Sequence, residues 1–397
     1  MALSFRSLTS LCAFCFSAAL SLCSAQTDDV LCRGGGGKFD ADFRHEVRVH
    51  VGATKNGELA TRSCEATLNS AGQEVTVASD AWEVDLDVFG SDLGLGMPVA
   101  AFQVKNSEAE CCTRYLIYSL QNPPRLLRTL IGGSSIHASD IDLDTRVEVW
   151  TDDAAAVDGF DGFSPSELSS PPSVVLRFEQ GKLLDVGAEF QPYFDQLITK
   201  VKGEIDPRDL KNFRNSDGKL TPGTALPPEL GYRLRKVKIG IVEVVWAYLN
   251  SEREHEAWAV LADMWPGADL ERVRAAIVKA RERGVHAQAD GVAAPAHKKR
   301  RATIYDVTMS EGEQSGVTSP QPILLWRPRP ASGQGLEKSE ISVELTIDSA
   351  GKVRFAKSAN SADADLLDAA MGWKFIPAQR GGHAVASRTR LAVSPRR

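Results

Sequence analysis

The sequence lacks the patterns by which many enzymes and nucleic-acid-binding proteins are identified. Its 397 residues contain no Gly-x-Ser-x-Gly motif, no His-Glu-x-x-His sequence and, beyond residue 25, no Cys-x-x-Cys pair. These absences remove the usual signatures of a serine hydrolase, a zinc peptidase and a thiolate zinc site. The net charge of −6 gives no basic footprint of the kind that nucleic acid requires. We therefore expect neither an enzyme nor a nucleic-acid-binding protein.

Long hydrophobic runs are also scarce, and the one at the N-terminus has the pattern of a secretory signal peptide. Arg6 precedes an apolar run from Leu8 to Leu22, and Cys23-Ser24-Ala25 then places small residues at the −3 and −1 positions. The run is too short to span a bilayer comfortably. We predict cleavage after Ala25 and a periplasmic or secreted protein without a transmembrane span. An uncleaved inner-membrane anchor and lipidation at Cys23 are the alternatives.

Cysteine is sparse beyond the predicted signal peptide. The four that remain are Cys32, Cys64, Cys111 and Cys112. An even number of cysteines in an exported chain favours disulfides. We predict that Cys64 pairs with one of the two adjacent cysteines and that Cys32 pairs with the other, although the sequence does not fix the connectivity.

Apolar spacing divides the chain into regions. Gly-rich residues 26–38 are expected to be a flexible leader. Residues 39–190 alternate between apolar and polar, as in "HEVRVHVG" and "RYLIYSL", which predicts an all-β domain, either a sandwich or a propeller-like stack of sheets. Residues 191–284 have helical spacing, residues 285–338 are predicted to be a Pro/Gly-rich linker, and residues 339–397 are predicted to be a small α+β domain.

Three helices are expected in the helical region. The segment "ELGYRLRKVKIGIVEVVWAYLN" should form one long helix, and "EREHEAWAVLADMW" a second that ends before Pro266. The third, "ADLERVRAAIVKARERG", should close at Gly284.

One acidic segment, "SDIDLDTRVEVW", has the spacing of a cation-binding loop. Asp140, Asp142, Asp144 and Glu148 occupy positions 1, 3, 5 and 9 of a turn that leads into a strand. Alternate carboxylates in a tight loop can converge on one point, and their hard oxygens suit Ca²⁺. The sequence therefore predicts a calcium site, with a metal-free loop of the same fold as the alternative.

This segment resembles the FG-GAP type calcium loop of secreted β-propellers. An earlier acidic segment with Asp85 and Asp87 forms a weak repeat with it, which extends the likeness to residues 80–190. The loop departs from that family at position 6, where Thr145 replaces the usual Gly. We expect Thr145 to resist the positive φ that such a turn requires.

The C-terminal residues 340–394 carry the most specific pattern. "EISVELTID" and "VRFAKSAN" are predicted strands, "ADADLLDAAMGW" is a predicted helix, and "WKFIPAQ" with "VASRTRLAVS" is a predicted hairpin. This ββαββ order makes a small antiparallel sheet covered on one face by a helix.

The residues of this pattern resemble the TonB C-terminal domain family. The motifs are Asp348-Ser349-Ala350-Gly351-Lys352-Val353, Leu367-Asp368-Ala369-Ala370, Trp373-Lys374-Phe375-Ile376-Pro377-Ala378 and Gly382-His383-Ala384-Val385. The resemblance implies a periplasmic protein-interaction domain, which in energy-transducing TonB captures an extended peptide of an outer-membrane receptor.

An exposed sheet edge offers unpaired backbone groups to such a peptide. We predict this edge on the final strand, at Arg388, Arg390, Leu391 and Val393. The arginines could equally serve solubility, since charges on an edge strand also oppose self-association.

The chain also departs from TonB. It has a cleavable-looking signal, a short spacer and no Tyr-Pro element before Ile341. We therefore predict an exported, multidomain interaction protein that binds a protein partner in the cell envelope, with an outer-membrane protein as the candidate partner. A TonB-type component of energy-dependent transport and a secreted hydrolase with its site in the β-domain are the alternatives.

Overall fold

The computed structural model describes residues 30–44, 46–54, 63–108, 111–168, 172–220, 227–293, 301–307, 316–325, 341–358 and 364–393. The predicted signal peptide and its cleavage after Ala25 lie outside these residues. Within them, no helix is both long and apolar enough to cross a bilayer.

The first half of the chain forms three sheets of antiparallel strands, and a later strand joins the third sheet in parallel. The short strand β1 (Cys32–Arg33) belongs to the second sheet. The first sheet contains β2 (Lys38–Phe43), β3 (Val47–Ala53), β4 (Cys64–Ser70) and β5 (Gln73–Ala81). The second sheet places β1 beside β6 (Glu83–Ser91), followed by β7 (Val99–Lys105), β8 (Thr113–Ser119) and β9 (Leu126–Gly133). The third contains β10 (Ile136–Ser139), β11 (Glu148–Asp152), β12 (Ser173–Glu179), β13 (Lys182–Asp185) and the parallel β14 (Gly291–Val292).

These three sheets stack face to face. Leu68 of the first sheet belongs to one buried cluster with Leu86 and Phe102 of the second. The opposite face of the second sheet, including Tyr115, packs against Val149 and its neighbours in the third. Both faces of the middle sheet are therefore covered, and eight of the nine residues of β6 are buried. The antiparallel sheets expected from the alternating pattern are confirmed.

The helices cover the third sheet, so the fold mixes α and β structure. They are α1 (Ala154–Val157), α2 (Gln191–Glu204), α3 (Pro207–Arg214), α4 (Pro228–Leu249), α5 (Glu254–Met264) and α6 (Leu270–Arg281). The three predicted helices are confirmed as α4, α5 and α6. Trp150 and Val175 on the outer face of the third sheet pack against Phe194 of α2 and Val244 of α4. This contact anchors the helices to the stack of sheets.

The C-terminal elements follow the predicted order. They are β15 (Tyr305–Asp306), β16 (Gln321–Leu324), β17 (Ile341–Ile347), β18 (Val353–Ser358), α7 (Ala364–Met371), β19 (Lys374–Ile376), β20 (Ala378–Arg380), β21 (His383–Val385) and β22 (Ser387–Val393). One sheet has the order β15-β22-β17-β18, and its core includes Leu345, Trp373 and Leu366 of α7. We refer to residues 341–393 as the C-terminal module.

The final hairpin differs from the expectation. Pro377 has no backbone N–H and separates β19 from β20. As a result β19 pairs with β16, β20 forms a short hairpin with β21, and β22 pairs with β17.

Parts of the segments expected to be flexible are paired. Cys32 and Arg33, inside the expected leader, pair with Val84 and Glu83 of β6. Three strands in the expected linker region, β14, β15 and β16, pair with β13, β22 and β19. These short segments therefore belong to the sheets of the fold.

Candidate functional site

The acidic loop, Asp140 to Glu148, brings three of its four predicted ligands together. Asp140, Asp142 and Glu148 each offer a carboxylate oxygen, and these oxygens lie within 4.8 Å of one another. Asp140 is 0% exposed and Glu148 is 1% exposed. Oxygen ligands of this hardness and charge suit Ca²⁺.

Asp144, the fourth predicted ligand, lies outside this cluster. Its carboxylate accepts hydrogen bonds from Nε and from the backbone N–H of Arg146, each at 2.9 Å. The arginine two residues further on therefore holds this carboxylate away from the other three.

The turn of the loop is held by Asp140. Its carboxylate accepts hydrogen bonds from the backbone N–H groups of Asp144 at 2.9 Å and Thr145 at 3.0 Å. Thr145 has φ +78°, so the turn forms with the positive φ that we expected Thr145 to resist. The side chain of Asp140 stabilises the turn through these backbone bonds, as acidic residues often do in tight turns.

Burial makes the metal-free cluster poorly suited to full ionisation. Burial raises the pKa of Glu148 to about 8; the negative charge of Asp142 adds to this shift, and the Arg177 guanidinium, 3.4 Å from Oε1 of Glu148, opposes it. Burial likewise raises the pKa of Asp140 to about 6. Oε2 of Glu148 has no hydrogen-bond partner in the described part of the chain. A bound divalent cation would favour the ionised carboxylates, and this oxygen would then be one of its ligands.

A residue of the C-terminal module supports the loop from outside. Oδ2 of Asp348 accepts hydrogen bonds from Ser139 Oγ at 2.9 Å and from the backbone N–H of Asp140 at 3.0 Å. Arg354 also donates to the carbonyl of Ile141 at 3.4 Å. Asp348 lies in one of the motifs that resemble the TonB C-terminal domain family, but no sequence signal indicates that it contacts the acidic loop.

The earlier acidic segment receives two lysines of the same module. Lys352 Nζ lies 2.6 Å from an oxygen of Asp87, and Lys374 Nζ lies 2.5 Å from an oxygen of Asp85. Burial alone would raise the pKa of Asp87, but the charge and hydrogen bond of Lys352 lower it below its usual value, with help from Tyr115. The carboxylates of Asp85 and Asp87, in the first copy of the weak repeat, therefore pair with lysine side chains of the same chain.

The outer edge of β22 is the second candidate site. β22 pairs with β17 from Ser387 to Val393, whereas on its other side β15 pairs only with Ser387 and Arg388. Across the described ranges, no strand pairs with this outer edge beyond Arg388. The side chains of Arg388 and Arg390 are 46% and 70% exposed.

The side chains of the other two predicted edge residues, Leu391 and Val393, lie toward the core of the module. Val393 is buried in the core of the module, and Leu391 packs partly against it. Any partner strand at this edge would therefore contact backbone groups and the arginines more than these two side chains.

Disulfides are present as predicted, but the predicted pairing of the cysteines is wrong. Cys32 is bonded to Cys64, with an S–S distance of 2.05 Å, and Cys111 pairs with its neighbour Cys112. Cys32 on β1 and Cys64 on β4 meet because β1 also contacts the first sheet, where β4 lies. Sequence spacing does not encode this proximity.

Compared with protein-family models, with curated proteins and with solved structures, this chain matches none of them.

Proposed function

We propose that this chain is an exported, non-enzymatic interaction protein that binds a partner strand at the outer edge of β22. One observation carries the proposal: among the residues that the structure describes, β22 is paired over its full length on one side and over only two residues on the other. An edge with free backbone donors and acceptors can accept an extended peptide as an additional strand. The resemblance to the TonB C-terminal domain family supports the same role.

The contacts with β15 show which backbone groups of β22 face the outer edge. The carbonyls of Ala386 and Arg388 accept hydrogen bonds from Tyr305 and Val307, which lie outside β22. Backbone groups alternate between the two sides of a strand, so Arg390 and Ala392 turn their N–H and C=O groups to the same outer edge. These two residues are the expected contacts of a partner strand.

Substitution at Ala392 tests this proposal in the full chain. Ala392→Pro removes one outward N–H without removing a donor to β17, whereas Ala392→Val keeps that N–H. Capture of a partner from an outer-membrane extract should persist with Ala392→Val and fall at least about tenfold with Ala392→Pro. Equal capture by both variants would exclude pairing at this edge.

The buried carboxylates of the acidic loop favour a second role, calcium binding. Three oxygens within 4.8 Å support it, as does the buried Glu148 Oε2, which has no hydrogen-bond partner among the described residues. Calcium here would stabilise the loop that Asp348 also contacts. The role would be structural, in support of the module that carries the edge.

Export is supported by the apolar N-terminal run and by the Cys32–Cys64 disulfide, since such bonds persist in oxidising compartments. N-terminal sequencing distinguishes this location from that of an anchored TonB-type transport component. A mature chain that begins at Gln26 favours a cleaved, periplasmic or secreted protein. A chain that retains residues 1–25 favours the anchored alternative.

A further inference from the structure

One short segment of the chain already occupies part of the β22 edge. Tyr305 and Asp306 of β15 run parallel to β22. The N–H of Tyr305 donates to the carbonyl of Ala386 at 3.0 Å, and the N–H of Val307 donates to the carbonyl of Arg388 at 2.8 Å. These contacts show the direction and register in which the edge accepts a strand.

Two side chains of this segment contact arginines of the module. The guanidinium carbon of Arg380 lies 4.9 Å from the ring centre of Tyr305, and the same guanidinium donates a hydrogen bond to the Tyr305 hydroxyl. Asp306 forms an ion pair with Arg388 at 3.2 Å. The aromatic ring and the carboxylate therefore each contact a cation.

The third side chain enters an apolar site. Val307 is 2% exposed and forms a small buried cluster with Val317 and Ala378. Tyr305 packs against the same cluster, so residues 305–307 present an aromatic and a β-branched aliphatic side chain on one face and an acidic side chain on the other. This combination is more selective than backbone pairing alone, because the apolar cluster and Arg388 accept different kinds of side chain.

We propose that Tyr305–Val307 is an internal ligand of the β22 edge, and that the partner is an extended peptide with the same aromatic–acidic–aliphatic order. The partner strand would run parallel to β22 and displace β15. This inference rests on the proposed function, because it names the chemistry of the strand that the same edge binds.

Displacement is favoured by the length of the edge. β15 uses the carbonyls of Ala386 and Arg388 but does not reach Arg390 or Ala392. A longer partner strand could repeat the contacts of β15 and add backbone bonds at these two residues. It could also place a second acidic side chain near Arg390, which is 70% exposed.

A peptide with the sequence of residues 301–307, RATIYDV, tests the proposal against the full chain. The variant Tyr305→Pro with Val307→Pro lacks both N–H donors of the internal ligand. Its matched control, Tyr305→Phe with Val307→Ile, keeps them. The labelled peptide should bind the proline variant at least about tenfold more tightly than it binds the control or the unmodified chain.

A change in charge provides a second test without proline. Asp306→Lys in the full chain places a cation opposite Arg388 and should also increase binding of the unmodified peptide. A peptide with Lys in place of Asp306 should bind the proline variant at least about tenfold more weakly than RATIYDV.

Two results would overturn the proposal. The first is equal binding of RATIYDV to the unmodified chain, the proline variant and its control. The second is equal binding of RATIYDV and of the Lys-substituted peptide to the proline variant. Failure of the internal-ligand proposal can be distinguished from failure of the proposed function. If a partner is captured in an Ala392-dependent manner while the peptide binds all proteins equally, only the internal-ligand proposal fails. If neither partner nor peptide binds any of the proteins, strand binding at this edge fails as well.

Discussion

Oδ2 of Asp348 lies 3.0 Å from the backbone nitrogen of Asp140, 208 positions earlier in the chain. The same oxygen accepts a hydrogen bond from Ser139, and Asp348 is 0% exposed. A turn of the C-terminal module therefore fixes the first residue of the acidic loop. The candidate cation site and the candidate partner edge belong to parts of the chain that contact each other directly.

Asp348→Asn should weaken both the fold and the calcium site. The carboxylate accepts hydrogen bonds from four groups, on Ser139, Asp140, Ala350 and Lys352. An amide has one acceptor oxygen and turns an NH₂ group toward some of these donors. We expect the free energy of unfolding to fall by about 2 kcal/mol, measured by urea denaturation, with weaker calcium binding. Asp368→Asn, on the exposed side of α7, is the control, and equal stability of the two variants would contradict the account.

Calcium should stabilise the protein through Asp142 and not through Asp144. At a calcium concentration 100 times the dissociation constant, the expected stabilisation is about 2.7 kcal/mol. Asp142→Asn should remove most of it because Asp142 belongs to the carboxylate cluster. Asp144→Asn should retain it because the Asp144 carboxylate is held by Arg146. Thermal unfolding in calcium and in chelator measures both effects, and an equal loss in the two variants would refute the assignment.

Glu148 should make the metal-free protein less stable as pH rises. Burial raises the pKa of Glu148 from 4.5 to about 8 in the folded protein, so the folded state binds this proton more tightly than the unfolded chain does. The resulting stabilisation is complete below about pH 4.5 and is lost as pH rises to about 8. In chelator, the melting temperature should therefore fall more steeply over this range in the unmodified protein than in Glu148→Gln.

Calcium affinity should change in the opposite direction, because the cation requires the ionised carboxylate. It should be higher at pH 8 than at pH 6. Glu74→Gln on the exposed side of β5 is the control, and should keep the pH dependence of the unmodified protein. A Glu148→Gln protein with unchanged pH dependence would rule out Glu148 as its source.

The ion pair between Lys374 and Asp85 should be important for docking the C-terminal module. Their side chains are only 10% and 4% exposed. Lys374→Met would leave a buried carboxylate without its cation, at an expected cost of about 3–5 kcal/mol. Adding Asp85→Asn should recover part of this loss, which a double-mutant cycle in urea measures. Lys357→Met, at an exposed position of β18, should cost less than about 1 kcal/mol, and strictly additive losses for Lys374 and Asp85 would argue against the pair.

The Cys32–Cys64 disulfide closes a loop with a sequence separation of 32. Replacing both cysteines by serine should lower the free energy of unfolding by about 3–4 kcal/mol, according to chain-entropy arguments. Serine at both Cys111 and Cys112 should cost less, because those residues are adjacent and enclose no loop. Peptide mapping without reduction should yield a peptide that links Cys32 to Cys64, and a link from Cys64 to Cys111 would contradict the structure.

Local patterns predicted local structure well. The long helix α4 and the convergence of Asp140, Asp142 and Glu148 depend on residues close in sequence, so periodicity and spacing were sufficient. Asp144 could not be assigned in this way, because Arg146 competes with the predicted cation for its carboxylate, and spacing alone does not show which of the two it contacts.

Contacts between distant segments were not predictable. Lys374 and Asp85 are 289 positions apart, and neither residue type indicates by itself that it will be buried with the other. The pairing of β15 with β22 was missed for a related reason. A two-residue strand has too few residues for an alternating pattern to be recognised, and only the tertiary structure provides its partner.

Strand binding at the outer edge of β22 can be measured by amide hydrogen exchange at Arg390 and Ala392. In the free full-length protein, these two amides should exchange quickly, while those of Thr389 and Leu391, which pair with Leu345 and Val343 of β17, should exchange slowly. Addition of the captured partner should slow exchange at Arg390 and Ala392 as a new strand forms on the edge. Amides at Arg390 and Ala392 that are already slow in the free protein, or that stay fast in the complex, would contradict strand binding at the outer edge of β22.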